Sequence, residues 1–153
     1  MIQRFTFGCP LPTESVVLPV EPAAAAVPYL TAEPDGSWSF SLAEDAVVYG
    51  LGEMPRGINK RGWHYVADNT DESHHGENRL SYYGAHNFLL IDGGAGRSVF
   101  GVFVDFPGKV FYDIGYTRHD RLTFRTEEPD YDLYIRTGDS PNAVCTEFRK
   151  LIG

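Results

Sequence analysis

The sequence predicts an all-β chain: an antiparallel β-sandwich with one C-terminal helix. Short apolar or alternating runs recur between clusters of Gly, Asp, Asn and Pro, the pattern of strands joined by tight turns. Residues 98–106 are apolar on both faces of an extended chain, as a central strand covered on both sides requires. A stripe at helical spacing, Val144, Phe148, Leu151 and Ile152, stands near the end of the chain.

Strands are expected over residues 2–7, 15–20, 37–42, 47–51, 87–91, 98–106, 110–114, 121–126 and 131–137. In the central run Phe100, Val102, Val104 and Phe106 share one face, and Val99, Gly101, Phe103 and Asp105 the other. Tyr131, Leu133 and Ile135 alternate with Asp132, Tyr134 and Arg136, which suits a strand with one face nearer to water. Asp92-Gly93-Gly94-Ala95-Gly96 reads as a hairpin loop with positive-φ positions, and Asp35-Gly36 as a similar break before Trp38. Residues 21–28 hold four alanines, but their prolines argue for a connection with at most one helical turn. The closing helix, residues 139–152, takes Asp139 or Ser140 as its cap and Pro141 in its first turn.

Composition narrows the function classes. The 153 residues suit one domain, and 10 Phe, 9 Tyr and 2 Trp supply a core, so general disorder is excluded. A net charge of -8 repels phosphate backbones and anionic lipid, so neither nucleic acid nor membrane is expected as a partner. The opening residues lack the apolar run of a secretory signal, which favours the cytoplasm. Cys9 and Cys145 lack metal or redox spacing and read as reduced, buried thiols.

The chemistry-bearing groups concentrate between Tyr49 and Phe88, in a segment that looks more like loop than strand. Trp63, Tyr65, Tyr82 and Tyr83 stand there beside Asp68, Asn69, Asp71, His86 and Asn87. Rings that cover C–H faces, next to carboxylates and amides that take hydroxyls, suit a neutral polyhydroxylated ligand. Such groups equally suit a solvated loop pinned to the edge of a sandwich. Metal and cofactor readings are weaker. His74 and His75 are adjacent rather than four apart, and residues 68–72 do not form a calcium loop, so no metal site or cofactor is expected. Gly93, Gly94 and Gly96 precede a strand, which makes a tight turn of them and not a phosphate cradle.

Taken together, Tyr49-Gly50-Leu51-Gly52-Glu53, Asn69-Thr70-Asp71, Tyr82-Tyr83-Gly84-Ala85-His86-Asn87-Phe88, Gly101-Val102-Phe103-Val104-Asp105 and Phe111-Tyr112-Asp113-Ile114-Gly115 resemble glycoside hydrolase family 31. They are similar to its N-terminal β-sandwich, a galactose-mutarotase-like supersandwich; Asp132-Leu133-Tyr134 and Gly138-Asp139-Ser140-Pro141 resemble that domain's last strand and exit helix. The run Arg56-Gly57-Ile58-Asn59-Lys60-Arg61-Gly62 is most similar to bacterial intracellular α-glucosidases.

The resemblance implies a parent enzyme that hydrolyses α-glucosides with retention, using two aspartates on a (β/α)8 barrel. Neither tryptophan lies in the family's W-x-D-M nucleophile motif, and the chain is too short for a barrel of roughly 250 residues. The expectation is therefore a single domain over residues 1–153, cut before its catalytic barrel and inactive alone. Its partners would be that barrel and, through it, an α-glucoside or oligosaccharide; a homo-oligomer is compatible with this. The resemblance places Asp71 over the barrel mouth, with Asn69 and Thr70 beside it as substrate-contacting residues. The family often has Trp before the Asn; Ala67-Asp68 stand there in this chain, and Trp63 or Tyr65 would have to substitute. Two rival readings are a free-standing carbohydrate-binding module using Trp63, Tyr82 and Tyr83, and a small aldose epimerase with His86 or His119 as acid.

Overall fold

The computed structural model describes residues 1–23, 27, 30–71, 73–94 and 96–153. Ten strands and one helix follow one another: β1 (Ile2–Phe7), β2 (Leu30–Ala32), β3 (Trp38–Ser41), β4 (Val47–Gly52), β5 (Trp63–Ala67), β6 (Ala85–Asp92), β7 (Val99–Asp105), β8 (Val110–Ile114), β9 (Arg121–Thr126), β10 (Tyr131–Gly138) and α1 (Pro141–Ile152). They form two five-stranded sheets, ordered β1-β10-β7-β6-β4 and β2-β3-β9-β8-β5, with antiparallel pairing throughout. The chain is thus an all-β sandwich with one terminal helix.

The core lies between the sheets. Phe100, Val102 and Val104 of β7 and Leu133 and Ile135 of β10 meet Phe40, Tyr112, Ile114, Leu122 and Phe124 of the second sheet, all but Phe100 at most 2% exposed. Strand β7 occupies the middle of its sheet and is covered on both sides, as its two apolar faces require. Its outer face lies under α1: Phe103 and Tyr134 pack with Leu151, and the Phe88 and Phe148 rings stack with centroids 3.8 Å apart. Gly101 makes this seat, since a Cβ there would come within 2.8 Å of Val144 and 2.9 Å of the Phe88 ring. Ser140 caps the helix by accepting from the Ala143 amide at 3.2 Å, with Pro141 in the first turn.

Several sequence expectations need correction. Residues 15–20 are not a strand: Val16 and Val20 pack against the helix layer, and the Val17 amide donates to the Leu151 carbonyl at 2.9 Å. Pro19 in that run has no N–H for a ladder, and the segment crosses a helix end instead of lying beside a strand. Two unexpected strands, β2 and β5, are the edges of the second sheet. Tyr134 is buried under α1, so only part of its face of β10 approaches water. Cys9 is exposed and Cys145 half-buried; both are free thiols, and neither is fully buried as the sequence suggested. The turn expectations hold where described: Gly36, Gly94 and Gly96 all have positive φ. Residues 24–26 and 28, within the alanine-rich connection, lie outside the described residues. No helix among the described residues is long and apolar enough to cross a membrane.

Candidate functional site

The loop that carries Asn69, Thr70 and Asp71 leaves β5 after Ala67 and rejoins the sandwich at Ala85. Its base is fastened at Ser81, whose hydroxyl donates to the Asp68 carbonyl at 2.9 Å and faces the Asp68 amide at 3.3 Å. One residue further in, the Val66 amide donates to the Leu80 carbonyl at 3.2 Å. The returning half closes on itself: the Tyr82 hydroxyl donates to the Gly76 carbonyl at 3.1 Å, and His75 stacks on the Tyr82 ring at 4.8 Å and meets Tyr83 edge-on at 5.0 Å. Backbone and ring contacts therefore hold both ends of the loop.

The re-entry point explains two of the sequence motifs at once. At the end of β4, Gly50, Leu51 and Gly52 have φ of 116°, 66° and 68°, and the register with β6 shifts between Gly50 and Gly52. This bulge turns Leu51 fully into the core, where it is 0% exposed. It also presents Glu53 to Gly84: the Glu53 amide donates to the Gly84 carbonyl at 2.8 Å, and the Gly84 amide donates to the Glu53 carboxylate at 3.2 Å. The Gly-Leu-Gly-Glu and Tyr-Tyr-Gly-Ala-His segments are thus two halves of one clamp that sets where β6 begins.

Asp71, Asn69 and Thr70 are exposed on the outgoing half. The Asp71 carboxylate makes no hydrogen bond or ion pair among the described residues, so it does not organise the loop as an Asx-turn group would. Its neighbour Asp68 pairs with Lys109 at 3.2 Å, tying the root of the loop to the start of β8. Trp63 is not gathered with these three. It begins β5, opposite Ile114, and four steps of about 3.3 Å each separate it from Ala67, where the loop departs. Its indole, 46% exposed, lies under the Arg56 guanidinium at 4.4 Å. Tyr65, the other substitute for the missing Trp, is 1% exposed and belongs to the core. His74 accepts or donates a bond with Ser73, and His86 lies against Phe103 and Phe148 beside the helix.

Below Trp63 lies an uncommon arrangement of cations. Lys60 is 5% exposed; its ammonium donates to the Met54 and Pro55 carbonyls at 3.4 and 3.3 Å and sits 5.7 Å from the Tyr65 ring. Burial holds its pKa below the usual lysine range. Arg61 spreads wider, donating to the carbonyls of Ala43, Glu44, Ala46 and His119 at 2.7 to 2.9 Å. Within the run from Arg56 to Gly62, which as sequence is similar to bacterial intracellular α-glucosidases, Lys60 and Arg61 thus brace the sandwich through backbone carbonyls.

A cleft of about 250 Å³ opens at the end of the sandwich beside the loop, lined by Asp68, Asn69, Asn87, Phe106, Lys109 and Glu127 among others. Asn87 is fixed there by Tyr112, whose buried hydroxyl donates to the Asn87 side-chain oxygen at 3.2 Å. Lys109, Phe106 and Glu127 escaped the sequence reading, because they come from the β7–β8 turn and the end of β9, far from the loop in the chain.

The model of the glycosyl hydrolase 31 N-terminal galactose mutarotase-like domain matches residues 25–113, from before β2 into β8. The chain belongs to this domain family. An alpha-xylosidase, XylQ of Lactiplantibacillus pentosus, is 28% identical over 113 residues, covering 74% of this chain and 14% of the xylosidase. Probable maltase-glucoamylase 2 of Homo sapiens is 31% identical over 117 residues, covering 75% of this chain and 4% of that protein. The chain therefore spans a small fraction of either relative. Among solved structures, a Flavobacterium johnsoniae family 31 dextranase superposes with a TM-score of 0.68 at 22% identity over 84% of this chain and 15% of its own. A cycloalternan-degrading enzyme from Trueperella pyogenes gives 0.61 at 20% identity over 73% of this chain and 16% of that one. These two likenesses concern the fold: in each, the matched part is a sandwich within a much longer polypeptide.

Proposed function

We propose that this chain is the accessory sandwich of a retaining α-glycoside hydrolase of the α-glucosidase type. It would be inactive alone, and it would lend Asp71 to the sugar-binding mouth of a (β/α)8 barrel carried by the same polypeptide. The supporting observation is the state of the Asp71 carboxylate: exposed, uncommitted, and carried on a loop whose two ends are fastened by Ser81, Leu80, Tyr82 and the Glu53–Gly84 clamp. A loop held that firmly at its ends, with the Asp71 carboxylate exposed and unbonded among the described residues, is suited to presenting that acid to something outside the domain. In that position Asp71 accepts hydrogen bonds from the hydroxyls of the sugar being cleaved, and so orients the glycosidic bond. Asn69 and Thr70 add neutral donors and acceptors on the same stretch. The nucleophile and the acid/base come from the barrel.

The test is kinetic. In the full-length enzyme, Asp71→Ala should lower kcat/KM toward maltose or an aryl α-glucoside by at least about tenfold, the loss of one charge-assisted contact to substrate. A change of twofold or less would show that the loop does not reach the substrate.

A further inference from the structure

We propose that the cleft at the open end of the sandwich is a second carbohydrate site, shaped for one neutral hexopyranose ring. The ligand class rests on the glycoside reading above; the site itself stands on geometry. Sheet packing stops short here because Ala67 and Ala85, both lining the cleft, carry only methyl groups where larger side chains would fill the end of the core. The space left, about 250 Å³, is that of a small polar molecule rather than a buried water.

Its lining has the chemistry of hydroxyl recognition. Tyr112 donates to the Asn87 side-chain oxygen at 3.2 Å, which commits that oxygen and leaves the Asn87 NH₂ as a pair of oriented donors. Tyr112 is 2% exposed and fixed among core rings, so Asn87 is preset before any ligand arrives. Asp68 and Lys109 stand 3.2 Å apart with their side chains 29% and 45% exposed, an acceptor beside a donor at the spacing of two vicinal hydroxyls. Asn69 brings a second amide, so the lining is mostly polar, as a ligand that presents several hydroxyls requires. Two carboxylates, Asp68 and Glu127, against the single ammonium of Lys109 disfavour a phosphate or carboxylate ligand. Asp71 is not among the lining residues, but Asn69, which the loop reading also uses, is, so the Asn87 signal is the one that reports the cleft alone.

The experiment is a titration of the ¹⁵N-labelled 153-residue chain with isomaltose, read at the side-chain amide signals of Asn69 and Asn87, with sorbitol as an acyclic control. Both signals should move and saturate with a midpoint on the order of millimolar, while sorbitol moves them little. Asn87→Ala should raise the midpoint at least about fivefold. Should that change disturb the fold, Lys109→Ala, at an exposed side chain, should do the same. Tyr112→Phe should weaken binding with the sandwich intact, because Asn87 loses its orientation. The proposal fails if the amides stay fixed through roughly 50 mM isomaltose, if sorbitol moves them equally, or if binding survives both Asn87→Ala and Lys109→Ala. Asp71→Ala should leave this titration unchanged. An unreactive Asp71 in the full-length enzyme would therefore refute the loop reading without touching the cleft, and a silent titration would do the reverse.

Discussion

Replacing Gly52 by alanine should be among the most damaging single-methyl changes in the molecule. A Cβ at Gly52 would stand 2.3 Å from the Gly84 carbonyl oxygen and 2.9 Å from the His86 amide nitrogen, both backbone atoms that cannot swing aside. The φ of +68° adds the cost of a left-handed non-glycine residue, about 1–2 kcal/mol. Relief requires β4 and the residues entering β6 to part, which breaks the 2.8 Å and 3.2 Å bonds between Glu53 and Gly84. Two such bonds contribute about 1 kcal/mol each, so the total is about 3–4 kcal/mol. For a domain of this size each kcal/mol moves the melting temperature by about 2–4 °C, so the midpoint should fall by roughly 6–16 °C. Gly36→Ala is the control: its φ is +83°, but nothing lies within 4 Å of the added methyl. It should show the backbone part alone, a drop of about 2–8 °C. Melting followed by circular dichroism compares the two, and equal drops would refute the clamp as the reason for the Gly-Leu-Gly-Glu motif.

Two further outcomes test the electrostatics of the scaffold. Burial raises the Asp105 pKa above its ordinary 3.8, while Thr13 donates to its carboxylate at 2.6 Å. The folded chain therefore keeps that proton to higher pH than the unfolded chain, so this contribution to stability is full below 3.8 and is lost as pH rises through the folded value. Asp105→Asn, which keeps the acceptor for Thr13, should flatten that loss; denaturant unfolding of both proteins between about pH 4 and about pH 7 checks it, and parallel curves would refute it. Arg61→Ala removes the four bonds to the carbonyls of Ala43, Glu44, Ala46 and His119 and should cost about 3 kcal/mol in urea unfolding. Arg61→Lys should recover less than half of that, because one ammonium cannot span both loops; full recovery would show that charge alone matters there.

The parts of the fold legible in the sequence were those whose pattern is local. β7 announced itself because both of its faces are apolar, and α1 because its stripe, cap and first-turn proline agree. The glycine turns at 36, 94 and 96 likewise need a backbone that only a few residues tolerate. The edge strand β5 was hidden: only Tyr65 and Ala67 of Trp-His-Tyr-Val-Ala are buried, and the exposed Trp63 and His64 look like loop. Residues 15–20 misled in the opposite direction, since Val16 and Val20 are apolar for a helix they meet only in three dimensions. At the candidate site, Asn69, Thr70 and Asp71 were visible as one stretch of loop. The tie from Asp68 to Lys109 and the hold of Tyr112 on Asn87 join residues tens of positions apart, and no local pattern marks such pairs.

The bond from Val66 to Leu80 has a consequence for the behaviour of the chain in concentrated solution. β5 is the outermost strand of its sheet, and its unpaired side would otherwise offer main-chain groups to any passing strand. By lying along it, the returning limb of the loop acts as a guard rail against edge-to-edge sticking. Excising residues 69–80 to silence the loop would therefore also invite self-association, and a deletion mutant that precipitates would say nothing about sugar. Point changes at the exposed tip leave that rail in place.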